Sequence, residues 1–275
     1  MINTIKKAPG AYALGAFFML WLWSQPALSY CPADAEAPRE RAQVAHIIDG
    51  DTVRLQDGRR VRFLGVNAPE AGRDGGPDEP LAEAAYALLA ERIPPGQSIG
   101  LVYDAEPKDR YGRVLAYVYD AKGRSVEAEL LRRGLAFHVA VPPNLAQADC
   151  LRAQQDIARQ NKLGVWADDY WQPTLAARLQ EGGFQVVRGR VTDVSRTRGA
   201  IWLELDGPVV LQVSRADSAW FDAEDWEAWL GRELLVSGWV IDRSGSRAVK
   251  RGFKPWMMRL RSPHGVLEMA APAAD

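Results

Sequence analysis

The sequence predicts an α+β chain, mainly β, arranged as two successive domains. Three observations carry this reading. Short segments of alternating apolar and polar residues recur between turn residues, beginning with Val53 and Leu55, the turn Asp57-Gly58, and then Val61 and Phe63. Three helical stretches are interspersed in the first half, and a second group of strands follows a Pro- and Gly-marked boundary near Trp171–Gly183. A length of 275 residues accommodates two cores, and 47% apolar with 25% charged residues excludes disorder and low complexity. The formal charge is −1. A uniformly basic surface for polyanions is therefore absent, and any affinity for them must come from local patches.

Met1–Ser29 carries Lys6 and Lys7, an apolar run from Ala11 to Trp23, and Ala27-Leu28-Ser29 at its end. This pattern reads as a secretory leader, so the expected location is exported, periplasmic or extracellular, with a transient membrane contact through the leader. An uncleaved anchor is the alternative, although about 13 apolar residues fall short of the roughly 20 that span a bilayer. Cys31 and Cys150 then remain. Two readings stay open: a disulfide pinning the mature N-terminus, or a core Cys150 with a free Cys31.

Residues 30–40, rich in Ala, Pro and Glu, read as a linker, and the first domain is expected over 41–172. The hairpin through Val53 and Phe63 is followed by a glycine-rich, on balance acidic loop after Glu70. A helix from about Glu79 to Arg92 is expected next, with Asp78 as N-cap. Ser98–Tyr103 and Arg113–Tyr119 read as strands, with a turn at Lys122-Gly123 between the latter and a helix from Val126 to Arg133 that stops at Gly134. Phe137–Val141 is apolar, Pro142-Pro143 breaks it, and Asn144 is the expected cap of a helix reaching about Lys162. Residues 173–183 read as a linker. Phe184–Val194, Ala200–Leu205, Val209–Val213, Glu233–Ile241 and Trp256–Leu260 then read as strands, with helix around Ala223–Leu230. Five strands and one helix suggest a second small barrel of oligonucleotide-binding type over 184–269, and 270–275 reads as a frayed tail.

Ile47–Glu70 concentrates chemistry-bearing groups. Asp51 begins the first hairpin strand, while Asn67 and Glu70 follow the second, so pairing across the turn gathers oxygen donors at one rim. Such hard ligands suit Ca²⁺. Arg62 would lie close by, where a planar fork of donors can clamp a phosphate.

I-D-G-D-T at Ile48–Thr52, R-F-L-G-V-N-A-P-E at Arg62–Glu70 and D-R-Y-G-R-V-L-A-Y-V at Asp109–Val118 together resemble the staphylococcal nuclease (thermonuclease) family, in order and with suitable spacing. The resemblance implies an OB-fold five-stranded barrel with three helices, no small-molecule cofactor beyond Ca²⁺, and hydrolysis of phosphodiester bonds in DNA and RNA, preferably single-stranded or locally melted, leaving 3′-phosphates. Glu70 would act as the general base, Arg62 and Arg113 as the phosphate clamp, and Asp51, Asn67 and the Ala68 carbonyl as metal ligands. Asn67 stands where the family's best-known member has aspartate, which removes one negative charge from the site. Asp49 could compensate, although Asp49-Gly50 also reads as an ordinary turn and Thr52 as an ordinary strand residue.

Asp109, Arg110 and Tyr111 are candidates for substrate contact, set against a solvated ion pair and a packed tyrosine. Ala140 and Pro142 stand where the resembled family places base-stacking tyrosines. His138 could substitute, but a lone histidine in an apolar run is more often packed. In the second domain Arg243–Arg261 holds seven basic residues and no acidic one. Phe253 and Trp256 are the expected stacking surfaces there, while Trp202, Trp220, Trp226, Trp229 and Trp239 read as core. A non-catalytic binding protein on the same fold is the rival reading.

Overall fold

A computed structural model of the chain describes residues 31–33, 39–72, 76–222, 225–246, 249 and 252–271. The predicted leader at 1–29, Arg247, Lys250 and Arg251 of the basic run, and most of the C-terminal tail lie outside the described residues.

The first half contains β1 (Arg39–Asp49), β2 (Thr52–Leu55), β3 (Arg60–Phe63), β4 (Val66–Asn67), α1 (Ala82–Arg92), β5 (Ser98–Val102), β6 (Val114–Tyr119), α2 (Val126–Arg132), β7 (Phe137–His138) and α3 (Ala148–Gln160). Strands β1-β2-β3-β6-β5 close into a barrel, with β3 and β6 parallel and the other pairs antiparallel. Alternation dictates its interior: Val53, Leu55, Val61, Phe63, Ile99, Leu101, Val114 and Ala116 are all buried. Each such Val, Leu, Ile or Phe side chain stabilises the fold by roughly 1.5–3 kcal/mol relative to exposure. β4 and β7 form a separate two-stranded ladder that pairs Val66 with His138 and Asn67 with Phe137.

Several local expectations are corrected. β1 begins at Arg39, inside the stretch read as linker. α1 starts at Ala82 behind Leu81, which adopts a left-handed conformation at φ 75°, and no side chain caps it. Asp78 and Glu79 are used elsewhere: their carboxylates accept from the Gly72 and Glu70 amides at 2.7 Å each. Asn144 likewise does not cap α3. It exchanges hydrogen bonds with the backbone of Glu106, at 2.7 and 2.9 Å, beside a cis Pro142-Pro143 bond. Cys31 and Cys150 form a disulfide with Cα atoms 5.5 Å apart, and the Tyr119 hydroxyl donates to the Cys31 carbonyl. The free-thiol reading is thus excluded.

The second half contains β8 (Thr174–Leu175), β9 (Gly183–Arg196), β10 (Ala200–Leu205), β11 (Val209–Ser214), β12 (Glu233–Asp242), β13 (Trp256–Arg259) and β14 (Val266–Met269). Strands β9-β10-β11-β13-β12 close into a second barrel through the β12–β9 pairing, with β8 and β14 added alongside β9 and β12. The segment 173–183, read as a linker, holds β8 and a 3₁₀ turn at Ala176–Arg178, and Ala176 and Leu179 are buried in the second core. The helix expected around Ala223–Leu230 is a 3₁₀ turn at Glu227–Trp229 among the described residues. Trp226 and Trp229 are buried as expected; Trp220 and Trp239 are not, each being 45% exposed.

The two barrels pack directly. Phe137, Val165 and Trp171 from the first share a buried cluster with Val186, Leu235 and Leu267 from the second. Arg152 on α3 donates to the carbonyls of His264, Val266 and Leu267 at 3.1, 3.2 and 3.0 Å, and Ser262 Oγ donates to the Ala140 carbonyl at 2.9 Å.

Candidate active site

The hairpin β2–β3 sets the site. Thr52 pairs with Arg62, and the Phe63 amide extends the ladder by donating to the Asp51 carbonyl at 2.9 Å. Asp51 therefore stands immediately beside Arg62, and its Oδ2 meets Arg62 Nη1 at 2.8 Å. Thr52 Oγ1 donates to Asp51 Oδ1 at 3.0 Å and the Ala68 amide to Oδ2 at 2.9 Å. Burial pushes the Asp51 carboxyl above the ordinary carboxylate range and nearby Asp49 adds to this, while the Arg62 guanidinium and the Ala68 and Thr52 donors oppose it. Thr52 is thus more than an ordinary strand residue. Asp49 caps the turn, accepting from the Asp51 amide at 3.1 Å.

Arg62 is held on every side. Its guanidinium also donates to the carbonyls of Phe63 and Val66, at 3.3 and 3.0 Å, and to Asn67 Oδ1 at 3.2 Å. Gly50 permits this close arrangement. A Cβ there would sit 2.6 Å from the Ala68 Cβ and 2.7 Å from that of Ala85 on α1, so a larger residue would push the helix off the turn.

Arg113 stands immediately before β6, the strand that neighbours β3. Arg62 is in register with Leu115 across the parallel β3–β6 pair, and Arg113 lies two residues before Leu115. The Asp109 amide donates to the Arg113 carbonyl at 3.0 Å, which closes the turn that carries Arg113. Its guanidinium Nε donates to Asp109 Oδ2 at 2.7 Å, and Asp109 also accepts from the Tyr111 and Arg113 amides at 2.9 Å each. These bonds hold the Asp109 carboxyl below its usual range against the effect of burial. Asp109 is accordingly paired with Arg113, not with Arg110. Arg110 instead donates to the Tyr111 hydroxyl at 2.6 Å and lies 4.8 Å from that ring's centre. Tyr111 is 66% exposed, so the packed reading of that residue is overturned.

Glu70 is exposed on the loop past β4. Its backbone is fixed at both ends by Glu79, whose carboxylate accepts from the Glu70 amide at 2.7 Å and whose own amide donates to the Glu70 carbonyl at 3.0 Å. Burial, and the negative charge of Glu70, raise the Glu79 carboxyl. Glu79 was missed from sequence because it was assigned to the helix start; Pro80 directly after it was the available signal.

Asp51 is therefore bonded to Arg62 and Ala68, and Arg62 in turn to Asn67. Arg113, Asp109, Arg110 and Tyr111 form a second group, and Glu70 stands on the adjoining loop. Among the described residues no three His, Cys, Asp or Glu side chains cluster as a metal cage. The donors at hand are the Asp51 carboxylate, the Asn67 carboxamide and backbone carbonyls, all hard oxygens. They fit Ca²⁺ in kind, with water completing the shell. In charge the set is lean, because Asn67 Oδ1 is neutral and Asp51 already faces a guanidinium.

In the second barrel Phe253 is 56% exposed, whereas Trp256 packs against the core. Three of the four described residues of the basic run, Arg243, Lys254 and Arg261, are engaged within the protein. Lys254 donates to the Gly207 carbonyl at 2.8 Å, Arg243 lies 5.6 Å from the Trp202 ring centre, and Arg261 Nε meets Asp217 at 3.3 Å.

The family model described as staphylococcal nuclease homologue matches residues 60–168. A thermonuclease of Staphylococcus intermedius is 36% identical over 126 residues, covering 45% of this chain and 74% of that protein. A thermonuclease of Staphylococcus hyicus is 32% identical over 137 residues, covering 49% and 80%. Endonuclease YncB of Bacillus subtilis (strain 168) is 36% identical over 125 residues, covering 44% and 58%.

Proposed function

The chain belongs to the staphylococcal nuclease family, and from that premise we propose that it is a Ca²⁺-dependent nuclease hydrolysing phosphodiester bonds of DNA and RNA, exported from the cell, with 3′-phosphate products. The observation that carries the reading is the Arg62 guanidinium, fixed by Asp51 at 2.8 Å and Asn67 at 3.2 Å, with Arg113 two residues before Leu115, the residue in register with Arg62 on the adjacent strand.

Hydrolysis requires a positioned water, donors for the charge that grows on the phosphoryl oxygens, and a route for the leaving alkoxide. Arg62 supplies preorganised donors, because its geometry is set before substrate arrives. Arg113 supplies the second set. Its Asp109 partner orients the guanidinium through Nε and leaves the terminal nitrogens to receive phosphate. Glu70 takes the proton of the attacking water from a loop that Glu79 keeps in place. When bound, Ca²⁺ adds Lewis-acid stabilisation of the phosphoryl oxygens, held by Asp51, Asn67 and the Ala68 carbonyl. The Cys31–Cys150 disulfide supports export, since such bonds persist in oxidising compartments.

The test is digestion of DNA and RNA by the wild type and Glu70→Ala, with added Ca²⁺ or with chelator, and analysis of the product ends. Ca²⁺-dependent cleavage of both polymers to 3′-phosphates, slowed at least ~10²-fold by the substitution, is expected. Undiminished cleavage in chelator would remove the metal, and no cleavage under either condition would leave a barrel that only binds.

A further inference from the structure

A cleft of about 250 Å³ lies between the barrels, lined by His138 and Ala140 from the first and by Trp239, Ile241, Arg259 and Arg261 from the second. Its walls differ in chemistry. Trp239 is 45% exposed and Ile241 38%, giving an aromatic and aliphatic surface open to a ligand. Arg259 makes no ion pair or side-chain hydrogen bond with any described residue. Arg261 uses only Nε, toward Asp217.

At the back stands His138, buried to 2% exposure. Its Nδ1 is 2.7 Å from the Gly65 carbonyl oxygen, which can only accept, so Nδ1 carries the hydrogen. Burial depresses its pKa to about 4 and keeps the ring neutral at ordinary pH. Nε2 is then a lone-pair acceptor, buried and without a hydrogen-bond partner.

The cleft adjoins the candidate active site. His138 pairs with Val66, whose carbonyl holds Arg62, and one strand spacing of about 5 Å separates the two backbones.

We propose that this cleft binds one nucleotide unit of a single-stranded nucleic acid, with its base against Trp239 and its phosphate on Arg259 and Arg261. Each wall selects a different part of that ligand: the indole a planar ring and the guanidinium groups an anion. Phe253 and Trp256 are displaced from this role, since Trp256 is committed to the core and neither lines the cleft. Trp239 thereby supplies from the second barrel the stacking surface that Ala140 does not provide. The inference deepens the nuclease reading and rests on it for the identity of the polymer.

The test is fluorescence anisotropy of a short labelled single-stranded DNA on the full chain, in chelator so that nothing is cleaved. Trp239→Ala should weaken binding about 5- to 100-fold, the range for losing one base–aromatic stack. Arg259→Ala should weaken it and lower the slope of log affinity against log salt by about 1. Trp239 packs edge-on against Phe184 at 5.2 Å, so thermal melts accompany that variant; should it not fold, the exposed Arg259 carries the test alone. A nucleoside monophosphate should displace the DNA at lower concentration than inorganic phosphate. Equal displacement by the two would overturn the base contact, and unchanged affinity and salt slope in Arg259→Ala would overturn the cleft. A wild type that binds but never cleaves when Ca²⁺ is restored sinks the nuclease reading and keeps the cleft. One that cleaves while Trp239→Ala and Arg259→Ala bind normally does the reverse.

Discussion

Replacing Arg62 by alanine strips the site of four hydrogen-bonding partners at once: the Phe63 and Val66 carbonyls, Asn67 Oδ1 and Asp51 Oδ2. The costliest remnant is Asp51, which is 5% exposed and keeps only the Thr52 hydroxyl and the Ala68 amide. Breaking a buried ion pair from one side destabilises by about 3–5 kcal/mol, because an uncompensated charge stays buried. The two carbonyls add less, since each is uncharged. Urea unfolding of Arg62→Ala above neutral pH, where the wild-type Asp51 carboxyl, raised to about 7, is ionised, should therefore show a loss of about 3–5 kcal/mol. Adding Asp51→Asn should restore much of it, as the orphaned charge is then gone. The loss should also shrink in acid, because burial raises the Asp51 carboxyl and a protonated Asp51 no longer needs the guanidinium. Arg62→Ala within about 1 kcal/mol of wild type, or strict additivity with Asp51→Asn, would refute the claim that this pair anchors the site.

Three further outcomes follow from the same contacts. Asn67→Asp puts a second carboxylate where Oδ1 now faces Arg62, and should lower the Ca²⁺ concentration for half-maximal cleavage; an unchanged or higher requirement would take residue 67 out of the metal shell. His138 is neutral and buried, with its pKa depressed from 6.5 to about 4, so its contribution is complete above about pH 6.5 and is lost as pH falls toward 4. Linkage caps that loss at roughly 3 kcal/mol, and His138→Gln should flatten the acid limb of stability by up to this amount in urea titrations across the range. Cys150→Ser opens a covalent loop spanning 119 residues and should cost about 2–5 kcal/mol; a reducing agent should lower the melting temperature of the wild type but not of the variant.

Much of the first barrel was legible because its signals are local. The alternation around Asp57-Gly58 placed β2 and β3 correctly, and with them the neighbourhood of Asp51 and Arg62. β1 was obscured at its start because Arg39, Glu40 and Arg41 resemble the Ala-, Pro- and Glu-rich stretch before them, although Glu40 is used to bind Arg59 and Tyr103. The caps assigned to Asp78 and Asn144 failed because each side chain binds another backbone amide, for Asp78 that of Gly72 six residues before it and for Asn144 that of distant Glu106, which no local pattern reveals. Trp220 and Trp239 were read as core from their setting in strand and helix patterns, but which face of an element meets the core depends on its partners. The inter-barrel cleft was invisible for the same reason. His138 and Trp239 are about a hundred residues apart, and only packing of β7 against the second barrel brings them together.

The most direct test of the two-arginine site is single-turnover cleavage of a DNA oligonucleotide in Ca²⁺ by wild type and Arg113→Ala. Arg113 is 31% exposed at its side chain and tied mainly to Asp109 in its own turn, so stability should change by less than about 1 kcal/mol. Loss of its donors from the phosphoryl group should slow cleavage by about 10²–10³-fold. A rate within a few-fold of wild type, with the fold intact, would contradict the assignment of Arg113 and Arg62 to one phosphate.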